Sequence, residues 1–215
     1  MTNRDQLARD IAGFLLQINA IKLNVENPFT WASGLRSPIY CDNRRTLSFP
    51  HVRQAIVDGF IQLVKTNYPH ADVVAGVATG AIAHGVLTAS ALDLPFVYVR
   101  SSPKGHGMGN QVEGHVEKDQ QVVVIEDLIS TGKSSLAAIE ALKGAGMRVL
   151  GMFSIFSYNL DLAQDKFKAA NCPVSSLSNY DVLLSLALDE GMISREQLHE
   201  LKKWRQDPVS WSAAH

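Results

Sequence analysis

The chain has 215 residues, of which 46% are hydrophobic and 19% charged, and its formal net charge at pH 7 is −1. This composition is typical of a globular protein with a sizeable core, and it gives no support for broad binding to nucleic acid or membranes. No apolar run approaches the length of a membrane span, and the first residues do not resemble a secretory signal. Cys41 and Cys172 are too few for a disulfide framework or a zinc site, so we expect a cytoplasmic protein with reduced thiols.

The first part of the chain is predicted to contain two helices with a hairpin between them. Apolar residues recur at helical spacing over 7–18 and predict an amphipathic helix. In the segment 29–42, two short extended stretches flank Ser33-Gly34, which is typical of a hairpin. Pro50 begins a second helix, expected to end near residue 65.

From residue 72 onward the predicted strands and helices alternate. The strands are expected over 72–77, 96–99, 121–126 and 147–157, and the helices over 80–92 and 134–143. Such alternation favours an α/β fold, in which helices cover both faces of a parallel sheet. Further helical patterns lie near 160–170, 179–189 and 194–205, followed by a polar tail after Asp207. Trp204 and Trp211, near the end, are interpreted as packing residues.

The most informative stretch is VVVIEDLISTGKSS at 122–135. A run of β-branched residues ends in Glu126 and Asp127, and a turn of small and hydroxylated residues then leads into a helix. Open α/β sheets bind ligands where a buried parallel strand delivers its carboxyl end to the start of a helix. The helix start offers unpaired N–H groups to a phosphate, while the acids can hold hydroxyl groups or, through water, a divalent cation.

These features suggest a site for a phosphorylated sugar, and the alternatives can be compared. A P-loop needs a glycine five residues before Gly132, where Asp127 stands. No G-x-G-x-x-G follows a strand, so the dinucleotide fingerprint is also missing. A strand–helix turn whose acids only cap the helix remains open as an alternative. The segment instead resembles the motif with which phosphoribosyltransferases bind 5-phosphoribosyl 1-diphosphate (PRPP).

A second segment, RSSPKGHGMGNQVEGH at 100–115, has the composition of a binding loop. Four glycines and one proline argue against a helix or a core strand. Long loops in compact domains are often lids, and this one carries Arg100, Lys104, His106 and His115. These cations suit an anion such as pyrophosphate, particularly if the loop closes and excludes water. A solvated surface loop is the alternative.

The third segment, FTWASGLRSPIYCDNRR at 29–45, combines a hairpin with an aromatic residue and several cations. Its backbone can present N–H and C=O groups to a flat heterocycle, and Tyr40 offers an aromatic face. Arg36, Arg44 and Arg45 lie nearby in the sequence. Taken alone, the segment is better interpreted as an edge hairpin that carries ordinary surface arginines.

Together the segments resemble the orotate phosphoribosyltransferase family over nearly the full chain. The segments are FTWASGLRSPIYCDNR, GVATGAIAHG at 76–85, VRSSPKGHGMGNQVEG at 99–114 and VVVIEDLISTGKSS. The resemblance implies one domain with a hood at about 1–50, a core at about 51–180 that contains a five-stranded parallel sheet, and C-terminal helices at about 181–215. It also implies a homodimer that joins orotate to PRPP, with Mg²⁺ carried by PRPP, and forms orotidine 5′-monophosphate and pyrophosphate.

The resemblance also implies roles for particular residues. Glu126 and Asp127 would bind the ribose hydroxyls. Arg100, Lys104 and His106 would bind pyrophosphate from a flexible loop that reaches into the site of the other subunit. The backbone of Tyr40 and Cys41 and the side chain of Ser130 would contact orotate, and the residues with catalytic roles would be Lys104, His106 and Asp127. The 5′-phosphate loop would consist of Leu128, Ile129, Ser130, Thr131, Gly132, Lys133 and Ser134.

The chain also departs from some members of the family. Lysines of those members are replaced by Ser101, by Ala32 and in the Thr79-Gly80 segment. An arginine that contacts orotate in those members is not evident near Ser157-Tyr158, and Arg36 and Arg44 are the candidates to replace it. Two other readings stay open at this point, a purine phosphoribosyltransferase and a regulatory protein that binds PRPP as a signal.

Overall fold

The computed structural model describes residues 2–31, 34–102 and 111–215. The N-terminal region, for which the resemblance implies a hood, contains α1 (Asn3–Gln17), β1 (Ile21–Leu23), β2 (Phe29–Thr30), β3 (Arg36–Ser37), β4 (Ile39–Cys41) and a 3-10 helix (Asn43–Ser48). The core contains α2 (Pro50–Asn67), β5 (Val73–Val77), α3 (Ile82–Leu92), β6 (Phe96–Val99), β7 (Val112–Glu113), β8 (Gln121–Ile129), α4 (Lys133–Gly144), β9 (Arg148–Ser157), α5 (Asp161–Ala169) and β10 (Val174–Asn179). The chain ends with α6 (Tyr180–Asp189), α7 (Arg195–Gln206) and α8 (Pro208–Ala214).

The central sheet has six strands in the order β10-β9-β8-β5-β6-β7. Five of them are parallel, as the family resemblance implies, and β7 pairs antiparallel with β6 at one edge. The middle strands β5 (VVAGV) and β8 (QVVVIEDLI) consist mostly of buried apolar residues, because helices cover both faces of a parallel sheet. Helix α2 packs against both α1 and α3 on the sheet, and α4, which contacts β6, β8 and β9, packs against α5.

The ends of several elements differ from the sequence-based expectation. Strand β8 was expected to stop at residue 126, which is wrong, because Leu128 and Ile129 still pair with β9. Helix α3 begins at Ile82 and not at residue 80. The polar tail expected after Asp207 is also wrong, since Asp207 caps α8 by accepting the N–H of Ser210 at 3.0 Å.

The hood segment divides into two separate ladders. β2 and β3 form the predicted hairpin, with Phe29 opposite Ser37. Tyr40 and Cys41, however, lie in β4, which pairs antiparallel with β1. Both cysteines are free thiols, as expected. Among the described helices, none combines the length and apolar character that a membrane span requires.

Candidate active site at the carboxyl edge of the sheet

The carboxyl ends of β5, β6, β8 and β9 lie along one edge of the sheet, because the four strands are parallel neighbours. The residues that follow these strands therefore face a common crevice, where open α/β sheets bind ligands. β6 delivers Arg100 to this edge, β9 delivers Tyr158, and β8 leads into the turn 130–132. The structure thus brings Arg100 of the 100–115 segment and the turn of the 122–135 segment to the same edge of the sheet.

The two acids of β8 have different surroundings. Glu126 is only 3% exposed, and both of its carboxylate oxygens have partners within the protein. Its Oε1 accepts the backbone N–H of Asp127 at 3.0 Å, and its Oε2 accepts the hydroxyl of Ser135 at 2.9 Å. Asp127 is half-buried at the crevice. Its carboxylate is therefore the one better placed for a ligand.

Burial also changes the protonation of this pair. Desolvation raises the pKa of Glu126 well above its usual range, and the neighbouring charge of Asp127 raises it further. Desolvation raises the pKa of Asp127 as well, while hydrogen bonds and the nearby Arg44 partly oppose that rise. Two negative charges on adjacent, desolvated acids repel each other, so the pair favours a state with fewer than two charges. A bound cation would reduce this repulsion.

Gly80 makes room for the Asp127 carboxylate. A Cβ atom at residue 80 would overlap Oδ2 and Cγ of Asp127, so glycine allows the carboxylate to lie this close to the backbone. The neighbouring peptide bond between Ala78 and Thr79 is cis. Gly80, in the segment that follows β5, lies against the carboxylate of Asp127.

The turn after β8 leads into a helix start without a side-chain cap. Gly132 is the N-cap of α4, with φ of +75°, and no side chain caps the helix. The N–H of Leu136 makes the first hydrogen bond of the helix, to the carbonyl of Gly132 at 2.9 Å. Thr131, Lys133 and Ser134 are exposed. The first turn of α4 therefore offers N–H groups and a positive dipole end to an anion.

The turn between β8 and α4 is shorter than the segment 128–134 that is expected to bind the phosphate. Leu128 lies opposite Phe156, and Ile129 lies opposite Ser157, within the β8–β9 ladder. The turn proper comprises residues 130–132, and Lys133 and Ser134 already belong to α4. A role of Leu128 and Ile129 in phosphate binding stays a prediction.

The two ends of the cationic loop are held together at the same edge of the sheet. The N–H of Arg100 donates to the carbonyl of Gln111 at 2.9 Å, and Nε2 of Gln111 donates to the carbonyl of Arg100 at 2.7 Å. The guanidinium of Arg100 pairs with Glu113 at 3.5 Å. Lys104 and His106, the other cations assigned to pyrophosphate, lie outside the described residues.

The segment assigned to orotate reaches the β8 acids through a residue that sequence reasoning did not single out. The thiol of Cys41 donates to Oδ1 of Asn43 at 3.3 Å, and Nδ2 of Asn43 donates to the carbonyl of Asp127 at 2.6 Å. Tyr40 is 39% exposed, and its ring lies 5.7 Å from that of Phe29. Asn43 stands in the CDNRR motif, but its tertiary partner is 84 residues away and gave no local signal.

The arginines near this segment are largely engaged elsewhere. Arg44 forms an ion pair with Asp42, with 2.6 Å between Nε and Oδ1, and Nε of Arg45 donates to the carbonyl of Ile18 at 3.1 Å. Tyr158, near which the orotate-contacting arginine of some family members is not evident, is 2% exposed and stacks on Trp31 at 5.6 Å. Whether Arg36 or Arg44 contacts orotate stays a prediction.

Within the described ranges, no group of three or more His, Cys, Asp or Glu side chains could hold a metal ion by itself. Mg²⁺ keeps several water ligands and commonly binds through one or two carboxylates together with substrate phosphates. The donor set at the end of β8 fits that manner of binding. A magnesium ion would therefore enter with a phosphorylated substrate.

Comparison with known proteins agrees with this geometry. Residues 50–185 match the model of the phosphoribosyl transferase domain family. The orotate phosphoribosyltransferase of Bacillus cereus is 50% identical over 95% of this chain and 97% of its own length, and that of Bacillus cytotoxicus is 49% identical over 97% and 100%.

Solved structures give the same result. The orotate phosphoribosyltransferase of Aeropyrum pernix superposes with a TM-score of 0.73 at 27% identity, over 86% of this chain and 99% of that one. Leishmania donovani UMP synthase shares the fold, with a TM-score of 0.77 at 23% identity, over 92% of this chain and 42% of that chain. The family match, the identity with curated relatives and the site geometry converge, and the chain belongs to the orotate phosphoribosyltransferase family within the phosphoribosyltransferases.

Proposed function

We propose that the protein transfers the 5-phosphoribosyl group of PRPP to N1 of orotate, which forms orotidine 5′-monophosphate and pyrophosphate in pyrimidine biosynthesis. One observation carries the proposal. The uncapped start of α4, the Glu126–Asp127 pair and the segment around Cys41 meet at one edge of the sheet. These parts supply, respectively, a place for a phosphate, for ribose hydroxyls and for a base.

The sugar phosphate would be held by β8 and α4. The N–H groups and hydroxyls of the segment 130–134 would bind the 5′-phosphate, since the helix dipole and the uncapped first turn favour an anion. Asp127 would bind the ribose hydroxyls directly. Glu126, whose oxygens already accept bonds from Asp127 and Ser135, would help to orient that strand end and contact the ribose only if those bonds rearrange.

The base would lie against the backbone of Tyr40 and Cys41, with the side chain of Ser130 nearby. Cleavage of the bond between ribose C1 and pyrophosphate develops positive charge on the sugar and negative charge on the leaving group. Arg100, together with Lys104 and His106 of the loop, would stabilise the departing anion, and Asp127 would hold the ribose beneath the attacking nitrogen. No general base is assigned, because the orotate ring is already acidic at N1.

Magnesium would be carried by the oxygens of PRPP, with the β8 carboxylates reaching it through water. Its contribution when bound would be to neutralise charge on the pyrophosphate leaving group. The homodimer with a shared loop, the three-part division of the domain and the cytoplasmic location also stay predictions that rest on the family resemblance and the sequence.

A turnover assay tests the proposal. The purified protein is expected to consume orotate only when PRPP and Mg²⁺ are both present, and added pyrophosphate is expected to reverse the reaction. Guanine, hypoxanthine and adenine serve as competing bases in the same assay. Faster reaction of any purine would overturn the base assignment and favour a purine phosphoribosyltransferase. Binding of PRPP without turnover of any base would favour a regulatory protein.

A further inference from the structure

The side chain of Asn43 occupies a buried position between two parts of the site. It is 2% exposed and begins the 3-10 helix that follows β4. Nδ2 donates to the carbonyl oxygen of Asp127 at 2.6 Å, and Oδ1 accepts the thiol of Cys41 at 3.3 Å. One amide therefore contacts both the segment assigned to the base and the strand end assigned to the ribose.

A second layer of hydrogen bonds holds Asn43 in place. The hydroxyl of Thr46 donates to the carbonyl of Asn43 at 2.5 Å, and Nε2 of His84 lies 2.9 Å from the same hydroxyl oxygen. Because the single hydroxyl hydrogen of Thr46 is already used, Nε2 of His84 is assigned as the donor of the second bond. His84 is fully buried in α3. Asn43 is thus held by Thr46 of its own 3-10 helix, and Thr46 is held in turn by His84 of α3.

The bond to Asp127 has a direct consequence for the reacting groups. The carboxylate of Asp127 lies against Gly80 on one side, and its main-chain carbonyl is held by Asn43 on the other. The ribose-binding acid is therefore fixed relative to the base-binding segment, although the two are far apart in sequence. A misplacement of about 1 Å between reacting groups can cost about 10²-fold in rate.

We propose that Asn43 is a positioning residue that couples the base-binding segment to the ribose-binding strand and so aligns the attacking nitrogen with the sugar. The inference rests on the proposed function. Asn43 acts through Asp127 and Cys41 and touches neither substrate. Its loss should therefore lower kcat more than it raises the KM for orotate or for PRPP, because alignment matters most in the transition state.

Two substitutions separate hydrogen bonding from packing. Asn43→Leu keeps the approximate volume but removes the donor, and it should lower kcat by about 10²-fold at every pH, with both KM values within about threefold of the wild type. Asn43→Asp keeps the shape. As an anion it would repel the Asp127 carbonyl, but burial beside two acids raises the pKa of such a carboxyl, and its protonated form can donate to that carbonyl.

The activity of Asn43→Asp relative to the wild type should therefore rise by about tenfold or more as the pH is lowered from 8.5 to 5.5. The relative activity of Asn43→Leu should not change over the same range. Asn67→Asp is the matched control. Nδ2 of Asn67 also donates to a backbone carbonyl, that of Leu63 at 2.8 Å, but it does so on α2, outside the site. Its relative activity should not depend on pH.

Several outcomes would overturn the inference. They are a wild-type kcat in Asn43→Leu, an activity of folded Asn43→Asp that stays far below that of the wild type at every pH from 8.5 to 5.5, and a loss in kcat matched by an equal loss in affinity. If neither variant folds, as judged by circular dichroism, Thr46→Val removes only the hydroxyl that holds Asn43. It should lower kcat with little change in KM, and an unchanged kcat would refute the role. If the wild type does not react with orotate, the proposed function and this inference both fail. If the wild type is active, the variants test the role of Asn43 alone.

Discussion

Asp127 and Glu126 are adjacent, yet their side chains have different partners. Glu126 is bonded to Asp127 and Ser135 inside the protein, whereas the Asp127 carboxylate lies at the crevice against Gly80. Side chains alternate between the two faces of a strand, so neighbouring acids in β8 can take separate tasks. We therefore expect Asp127 to serve the substrate and Glu126 to serve mainly the local structure.

Substitution of Asp127 by asparagine should lower kcat by about 10²-fold or more, as is common when one contact made mainly in the transition state is lost. The melting temperature should stay near that of the wild type, because the side chain is not part of the apolar core. Steady-state kinetics with PRPP and calorimetry measure the two quantities. Unchanged turnover with an unchanged melting temperature would show that the acid only caps the local turn.

His84 provides a pH-dependent test of the core. Burial lowers the pKa of its imidazole to about 4, and Arg53 contributes to that decrease. In the unfolded chain the pKa is near 6.5, so between these values the unfolded state binds a proton that the folded state does not. The contribution of neutral His84 to the free energy of unfolding is therefore fully present above about pH 6.5 and is lost as the pH falls towards 4.

Urea unfolding of the wild type should therefore show a loss in unfolding free energy on acidification from pH 7 to 4.5. His84 would contribute up to roughly 3 kcal/mol of the full effect, since each pKa unit corresponds to about 1.4 kcal/mol. The variant His84→Gln, which can still bond to Thr46 but does not titrate, should lose less over the same range. Equal losses in both proteins would show that other groups dominate the acid sensitivity.

At the scale of whole elements, the C-terminal helices support the hairpin of the hood. Trp31 stacks on Tyr158 at 5.6 Å and meets Trp204 of α7 edge-on at 5.7 Å. The hydroxyl of Ser212 in α8 accepts the N–H of Arg36 at 2.8 Å, and Trp211 is buried. The predicted packing roles of Trp204 and Trp211 are thereby confirmed.

Deletion of residues 208–215 should weaken orotate binding more than PRPP binding. The deletion removes the bond to β3 and the packing of Trp211, while the β8–α4 region keeps all its own contacts. A lost hydrogen bond of about 1 kcal/mol corresponds to roughly a fivefold rise in the KM for orotate. Ser212→Ala is the milder comparison and removes the bond alone. Equal changes in both KM values would contradict a role specific to the hairpin.

Secondary structure could be predicted from the sequence where it depends on a local pattern of residues. The apolar strands β5, β6, β8 and β9 and the turn into α4 follow from β-branched runs and small residues. β10 has the sequence VSSLSN, which lacks an apolar run, and it becomes a strand because β9 pairs with it and Ser154 bonds to Ser176 at 2.7 Å. Strand formation there depends on tertiary context more than on propensity.

The same limit applies to the site. The acids, the turn and the start of α4 are contiguous and could be predicted together. The contributions of Asn43 and Gly80 could not, because their contacts with Asp127 join segments that are distant in sequence. Both residues stand in motifs that the family resemblance drew attention to, but only the fold gives them partners.

For the molecule as a whole, the arrangement to test is how the cationic loop serves the site. Arg100 and Gln111 fix the two ends of the loop beside β6, close to the crevice of the same chain. In the resembled family the loop crosses to the other subunit of a dimer. Lys104 and Asp127 of one chain would then belong to different active sites. If the chain forms the two-fold dimer that the resemblance implies, mixing inactive variants tests that arrangement.

Homodimers of Lys104→Ala and of Asp127→Asn should each be nearly inactive. In a heterodimer with shared loops, one site receives both substitutions and the other receives neither, so random exchange of equal amounts should restore roughly a quarter of all sites. Activity is measured after exchange has been verified by native mass spectrometry, with each unmixed variant carried through the same exchange as the control. If heterodimers form and no activity returns, the loop acts within its own subunit, and the assignment of Arg100, Lys104 and His106 to the partner's site is wrong.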